Sequence, residues 1–278
     1  MEINSLILIG IAIPIGILIG ISTGVVGQTA NAIIVPLLFI MFGVNLLIAI
    51  GSSLLIDFID TMILSIIYGK RKIIEYKLSI VLGITGGLAS YLGSFITFNY
   101  LVTLGGTMKI IYILILIGIA IFFINKGFKT KKDLKEDIYI NQFKSLSEFF
   151  SSGKLKIAII FGLSIIYGFL AGLLGVGGGM VITTGLIIIY QMKTRRATGT
   201  GVFYMFIVSL MANIPYISYS PVDVVYFGIF IFGIAAICGT LISSFIVHKV
   251  SERILNLLVG IILIVFTLVL IVQQILIY

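Results

Sequence analysis

Long apolar runs occupy most of this 278-residue chain and limit its fold more than any other feature. A transmembrane helix needs about 20 mostly apolar residues, and ten runs meet or approach that length. They form two sets of five, at 4–23, 29–42, 44–68, 77–98 and 107–125, and at 156–175, 179–192, 197–218, 223–246 and 253–277. We predict an all-α polytopic membrane protein with ten transmembrane helices. Spans 2 and 7 are predicted to be short or broken because they fall below the roughly 17 residues that cross a bilayer comfortably.

The scarcity of charge supports this class of protein. Charged residues make up 10% of the chain, against roughly 25% in soluble domains, and so few cannot cover a water-exposed surface of this size. No basic residue precedes the first run, which argues against a cleaved signal peptide. A single cysteine, Cys238, excludes a disulfide framework, and we expect it to pack as a small apolar side chain. The single histidine, His248, lies beside Lys249 in a predicted cytoplasmic loop, so we do not expect it to act as a metal ligand or base. We expect no metal, no cofactor and no catalytic residues.

The positions of the 18 lysines and arginines predict the orientation of the spans, because basic residues collect at the cytoplasmic ends of transmembrane helices. If the basic segment 126–155 is cytoplasmic, ten crossings place 17 of the 18 inside and leave Lys109 outside. An alternative with eight crossings, in which spans 2 and 7 only dip into the membrane, would place the clusters at Lys193 and Lys249 outside. We therefore expect a plasma-membrane protein with both termini outside, whose basic charge marks topology rather than a nucleic-acid-binding surface.

A shift of 148 positions aligns the chain with itself. It pairs Gly20 with Gly168, Gly24 with Gly172, Gly27 with Gly175, Ala49 with Ala197, Gly51 with Gly199, Ser52 with Thr200 and Tyr68 with Tyr216. After a two-residue deletion, an offset of 146 pairs Gly87, Ala89 and Gly93 with Gly233, Ala235 and Gly239. The sequence thus divides into repeat 1 at 1–125, a cytoplasmic basic linker at 126–155 and repeat 2 at 156–278.

Five spans in each repeat would invert the second repeat relative to the first, and the basic loops alternate between the repeats as this inversion requires. Inverted repeats recur in secondary transporters, which bind substrate near the membrane midplane where the repeats meet. The alternative is a duplication that was retained only for helix packing.

Two breaks, one in each repeat, are the strongest candidates for a binding site. The run Gly175 to Gly179 opens span 7, and a polar break from Gly27 to Asn31 opens span 2. A helix that begins inside the membrane presents unpaired N–H groups and a partial positive charge, and glycines let an anion approach these donors. We therefore expect a small anionic substrate there; the alternative is a tight turn between packed helices. The candidate ligands are Gly27, Gln28, Thr29, Asn31, Ser52, Ser53, Gly175, Gly177, Gly178, Gly179, Thr183 and Thr200.

Two carboxylates, Asp57 and Asp60, lie in the middle third of span 3 and share one helix face at a spacing of i and i+3. Carboxylates inside a membrane are costly and usually functional, and two this close are not easily both ionised in a low dielectric. The pair predicts a proton-coupling site; the alternative is a hydrogen-bonded pair that holds helices together. Asn213 and Tyr216 in span 8 are further candidates for polar lining, although a tyrosine near the end of a span is typically an interfacial anchor.

The paired glycine motifs resemble the signature of the TauE/SafE family of sulfite and organosulfur anion exporters. The motifs read GVVGQTANAIIVPLL from Gly24 and GLLGVGGGMVITTGL from Gly172, and they are followed by AIGSS and ATGTG. The resemblance covers nearly the whole chain outside the linker. It implies transport of small anions such as sulfite, sulfonates or related carboxylates. Position by position, it points to Gly27, Asn31 and Pro36 in repeat 1 and to Gly175, Gly177, Gly178 and Gly179 in repeat 2.

We therefore expect a secondary transporter that exports small sulfur-containing anions by alternating access, with any coupled proton on Asp57 or Asp60. A passive anion channel or an uptake permease on the same scaffold is the first alternative. A membrane-embedded lipid-modifying enzyme is a remote one, because the chain offers too few metal ligands near a head-group surface. The expected partners are the small anion and the lipid bilayer, and the sequence leaves a homodimer open.

Overall fold

The computed structural model of this protein describes most of its central helices. It covers residues 5–26, 34–35, 38–39, 43–101, 153–175, 179–219, 223 and 232–246, with isolated positions at 114, 117–118, 121, 124–125, 128, 257, 261, 264 and 268. Within these residues the regular structure is entirely helical. The helices are α1 (Ser5–Val26), α2 (Leu46–Lys70), α3 (Tyr76–Ile96), α4 (Lys154–Leu174), α5 (Gly179–Tyr190), α6 (Thr194–Tyr219) and α7 (Ile234–Ile246). A π turn at Thr97–Leu101 extends α3.

The predicted spans and the observed helices agree wherever the structure describes the chain. Spans 1, 3, 4, 6, 7 and 8 correspond to α1 to α6 with ends that differ by three residues or fewer, and span 9 contains α7. Span 7 is short as predicted, because α5 has 12 residues, which make about 18 Å of helix. Spans 2, 5 and 10 and the linker 126–155 lie largely or wholly outside the described residues.

Four of the described helices are long and apolar enough to cross a bilayer: Leu46–Lys70, Tyr76–Asn99, Lys154–Leu174 and Arg195–Tyr219. Their outward faces are apolar as well. On α3, Ile80, Ile84, Leu88 and Leu92 are between 41% and 59% exposed. An apolar stripe of this kind would be a liability in water and is the expected surface against lipid.

The inward faces carry small and polar side chains instead. On α3, Ser79, Ser90 and Ser94 are fully buried, and the other buried positions are four glycines, one alanine and two leucines. Small residues at helix contacts are typical of membrane bundles, where packing rather than hydrophobic burial holds helices together. One expectation fails here: Cys238, predicted to be packed, is exposed on α7.

Glycines bring two pairs of helices into backbone contact. A Cβ built on Gly20 of α1 would lie 2.0 Å from the Ala236 carbonyl of α7. A Cβ on Gly168 of α4 would lie 2.2 Å from the Gly86 carbonyl of α3. Larger side chains cannot occupy these positions without separating the helices. The helix backbones therefore approach each other closely at both crossings.

The two crossings also correct the repeat alignment. Gly20 and Gly168 are related by 148, and their partners Ala236 and Gly86 are related by 150. A second pair of contacts gives the same offsets. Gly16 contacts the Phe232 carbonyl, and at the corresponding positions the Ser164 hydroxyl donates to the Leu82 carbonyl. The offset of 146 expected between α3 and α7 is therefore wrong by about one helical turn. Both alignments pair small residues with small residues, so only the contacts distinguish them.

Candidate functional site

The second glycine break is a true interruption between two helices. Helix α4 ends at Leu174, and Gly175 follows in the left-handed conformation with φ +69° and donates its N–H to the Ala171 carbonyl at 2.8 Å. Glycine adopts this conformation without strain. Helix α5 begins at Gly179. The remaining break residues, Gly177 and Gly178, and the candidates of the first break, Gly27, Gln28, Thr29 and Asn31, lie outside the described residues, as does Pro36.

The break contacts α2, which lies in the predicted repeat 1. A Cβ on Gly175 would lie 3.0 Å from Ile50 Cγ2 and 3.4 Å from Ser53 Oγ. Ser53 is fully buried and donates its hydroxyl to the Ile50 carbonyl at 2.8 Å. Two of the predicted ligands, one from each repeat, therefore meet at this point. Ser52, the neighbouring candidate, is also fully buried on α2.

The start of α5 packs against α6. A Cβ on Gly201 would lie 2.1 Å from Thr183 Oγ1 and 3.1 Å from the Gly179 carbonyl, so the glycine leaves room for the first turns of α5. Thr183 is 4% exposed, and its hydroxyl has no hydrogen-bond partner among the described residues. Gly201 and Ser53 are equivalent under the shift of 148, so matching positions of α2 and α6 flank the break.

Thr200, also predicted as a ligand, bonds to the start of α3. Its hydroxyl accepts the Glu75 N–H at 3.2 Å, and its carbonyl accepts the Ser79 hydroxyl at 2.9 Å. These bonds place Thr200 against the start of α3. The shift of 148 aligns Thr200 with Ser52, but this alignment does not mean that both residues contact the break.

The two carboxylates are buried in α2. Asp57 is 1% exposed and Asp60 is 0% exposed. Helix α7 packs against α2, and its Thr240 is fully buried as well. Ser53 lies four residues before Asp57, so the carboxylates continue the helix face that meets the break.

Two tyrosines fix the ends of the helices that precede the breaks. Tyr68 donates to the Gly24 carbonyl at 2.5 Å, and Tyr216 donates to the Gly172 carbonyl at 2.7 Å. Both are 1% exposed, so Tyr216 is not the interfacial anchor that its position in the span suggests. The carbonyls near a helix C-terminus lack intrahelical donors, and a tyrosine from the next long helix supplies one. The shift of 148 had already paired these tyrosines, which is the signal that could have identified this role.

The same shift pairs two further buried polar groups: Ser65, which sequence reasoning did not assign, and Asn213, which it named as a candidate for polar lining. Ser65 is 7% exposed and Asn213 is 3% exposed. Neither the Ser65 hydroxyl nor the Asn213 amide has a hydrogen-bond partner among the described residues. Each precedes its tyrosine by three residues and therefore lies near the same helix face. They are additional polar groups on the helices that flank the breaks.

The basic clusters at the helix ends hold helices together. Arg71 donates to the Ser244 carbonyl of α7 at 2.8 Å, and Arg196 forms an ion pair with Glu75 at the start of α3. These contacts give two of the topology-marking cations a structural role as well.

Comparison with known proteins agrees with this architecture. The family model described as sulfite exporter TauE/SafE matches residues 12–270, which is nearly the whole chain. No solved structure matches the sequence.

Several relatives share the match over most of their length. A probable membrane transporter protein from Methanocaldococcus jannaschii is 30% identical over 208 residues, which is 73% of this chain and 70% of that protein. Two probable membrane transporter proteins of Bacillus subtilis are each 25% identical: YunE over 78% of this chain and 81% of its own, and YjnA over 91% and 96%. Together with the apolar helices, these matches confirm the resemblance carried by the two glycine motifs: the chain belongs to the TauE/SafE family of membrane transporters.

Proposed function

We propose that this protein is a secondary transporter that exports small sulfur-containing oxyanions, of the sulfite or organosulfonate class, across the plasma membrane. The carrying observation is the break between α4 and α5, where Gly175 meets Ser53 of α2 and Thr183 packs on Gly201 of α6. Groups from both repeats thereby surround the start of a helix. This is the arrangement expected of a substrate site between two repeats.

The chemistry of this site suits an oxyanion. The first turn of α5 presents N–H groups that have no intrahelical acceptor, together with the positive end of the helix dipole. The Thr183 hydroxyl is free to donate within the described residues. Sulfite and sulfonate groups carry three oxygens around one sulfur, and several converging donors can bind them at once. The name of the matching family supports sulfite-type anions as the first substrates to test.

The carboxylates of α2 suggest how transport is coupled. An anion at Gly175 would lie along the same helix face as Asp57 and Asp60, and like charges in a low dielectric repel strongly. A proton on this pair lowers the repulsion, so anion and proton would travel together. With a monovalent anion such cotransport is electroneutral, and anion flux should rise when a proton gradient is imposed in the same direction.

The same proposal includes the ten-span, inverted-repeat architecture, with the 126–155 linker in the cytoplasm. The described crossings support two repeats, because α1 packs on α7 as α4 packs on α3. Movement of one repeat against the other would expose the break first to one side of the membrane and then to the other.

The experiment that tests the site compares Thr183→Val with Thr200→Val in purified protein. Binding of sulfite, sulfate, thiosulfate, taurine and short carboxylates is measured by calorimetry. Loss of a hydrogen bond to a charged ligand costs about 1.5–3 kcal/mol, so Thr183→Val should bind roughly tenfold to a hundredfold more weakly. Thr200→Val should bind like the wild type, because its hydroxyl is engaged with the Glu75 N–H.

Equal losses in both variants, or in neither, would contradict the proposed site. In proteoliposomes, flux that saturates and shows counterflow distinguishes a transporter from a channel. Flux that is indifferent to a pH gradient and to Asp57→Asn and Asp60→Asn would remove the coupling.

A further inference from the structure

An ion pair joins the two predicted repeats at the end of the helices that is predicted to face the cytoplasm. Glu75 lies directly before α3, and Arg196 lies in the first turn of α6. The Arg196 guanidinium donates to the Glu75 carboxylate. The Glu75 side chain is 27% exposed and that of Arg196 is 30% exposed, so salt screens this pair less than it would screen one on an open surface.

The backbone around the ion pair is closely packed as well. The Glu75 N–H donates to the Thr200 hydroxyl at 3.2 Å, and the Ser79 hydroxyl donates to the Thr200 carbonyl at 2.9 Å. A Cβ on Gly199 would lie 2.7 Å from the Ile73 carbonyl. The connection between α2 and α3 therefore lies directly on the start of α6.

The same part of α6 leads to the break between α4 and α5. Arg196 precedes Gly201 by five residues, which is about 8 Å along the helix axis. Gly201 in turn packs on Thr183 and on the Gly179 carbonyl at the start of α5. Along α6, the ion pair therefore lies between the proposed anion site and the predicted cytoplasmic end of the helix.

The matching positions of the repeats do not reproduce this pair. The shift of 148 relates Glu75 to Asp223 and Arg196 to Ile48, and the apolar Ile48 offers no charge to a carboxylate. The helix dipole also disfavours a cation in the first turn of a helix, so the Glu75 carboxylate offsets the cost of placing Arg196 there. The ion pair is thus a feature of one end of the molecule and not of the repeated fold.

We propose that the ion pair between Glu75 and Arg196 is the cytoplasmic gate of the transport path. While it is formed, it holds the connection between α2 and α3 against α6 and keeps the break closed to the cytoplasm. When it separates, α3 and α6 move apart at this end and an anion reaches Thr183 from the cytoplasm. This inference rests on the proposed transport function, and it adds two residues that open the path rather than bind the substrate.

Cysteine accessibility in the absence of substrate tests the gate. On a Cys238→Ala background, Thr183→Cys places a thiol at the break. Its rate of reaction with an impermeant cationic methanethiosulfonate is measured in inside-out membrane vesicles. Glu75→Gln and Arg196→Gln should each raise this rate roughly threefold to tenfold, as expected when one partly buried ion pair is lost. The double variant Glu75→Arg with Arg196→Glu should return the rate to nearly its original value.

Three comparisons separate a gate from other effects. Lys77→Gln removes an exposed cation two residues from Glu75 and should leave the rate unchanged. Ser94→Cys reports general loosening, because Ser94 is fully buried near the opposite end of α3; Glu75→Gln should not raise its reactivity. Charge alone would make Glu75→Gln and Arg196→Gln change the rate of a cationic reagent in opposite directions, whereas a gate predicts the same direction.

Unchanged rates in both single variants, rates that move in opposite directions, or an equal rise at Ser94→Cys would overturn the proposal. So would a rise confined to right-side-out vesicles, because the ion pair would then face the outside. The single variants decide the question even if the double variant does not fold. No sulfite or sulfonate is present in the assay, so a failure of sulfite binding leaves these readings unchanged and the two proposals fail separately.

Discussion

The glycines at the two closest helix crossings, Gly20 and Gly172, touch backbone rather than side chains. A Cβ on Gly172 would lie 1.8 Å from the Ser90 carbonyl, and one on Gly20 would lie 2.0 Å from the Ala236 carbonyl. A flexible side chain can move aside, but a helix backbone moves only with the whole helix. Single methyl groups at these positions therefore act on the contact between two helices.

The Gly172→Ala substitution should destabilise the protein by about 3 kcal/mol or more, at the upper end of overpacking effects. The methyl group must push α4 away from α3. Thermal unfolding in detergent measures the effect.

Gly162→Ala is the matched control on the same helix. A Cβ there has nothing within 4 Å, so the change should be neutral or stabilising by up to about 1 kcal/mol from helix propensity. Equal melting temperatures for the two variants would contradict the close crossing.

Two serine-containing helices, α3 and α7, occupy matching places but make different contacts. The Ser94 hydroxyl of α3 lies 2.8 Å from the Ala212 carbonyl of α6 and 3.2 Å from the Gly172 carbonyl of α4. Ser244, its equivalent at the offset of 150, donates to the Leu241 carbonyl of its own helix. The serine hydroxyl of α3 thus bonds to both neighbouring helices, whereas the matching serine hydroxyl of α7 bonds within its own helix.

Ser94→Ala should therefore cost more than Ser244→Ala. We expect a loss of about 1 kcal/mol for Ser94→Ala, which is typical of a net hydrogen bond, and less than half of that for Ser244→Ala. Chemical or thermal unfolding of both variants in the same detergent provides the comparison. A larger loss for Ser244→Ala would mean that α7 is bonded to its neighbours as tightly as α3.

At the scale of the whole molecule, the basic residues are predicted to lie on the cytoplasmic side of the membrane. Cysteine labelling can test this topology. On a Cys238→Ala background, a cysteine at Ser145 in the linker should react with an impermeant maleimide only after the cells are permeabilised. A cysteine at Thr107, beside Lys109, should react in intact cells. The reason is that 17 of the 18 basic residues are predicted to face the cytoplasm.

Labelling of Ser145→Cys in intact cells would reverse the orientation. The ten-span topology places one crossing, span 5, between Thr107 and Ser145. Labelling of both positions from the same side would therefore contradict the count of ten.

The sequence by itself determined the features that depend on local composition, namely the positions of the helices and of the glycine break. Hydrophobic length alone located α1 to α6 to within three residues, because a bilayer admits only apolar helices of sufficient length. The glycine run likewise predicted the break between α4 and α5, since consecutive glycines do not sustain a helix. The family was recognisable from the same motif.

Only the tertiary structure decided which neighbours these features have. The sequence offered Ser53, Thr183 and Thr200 as equal ligands, but two lie at the break and Thr200 bonds to the start of α3. It left Tyr216 at an interface, whereas the structure buries it against Gly172. Helical periodicity states which face a residue occupies, and the packing of whole helices decides what that face meets.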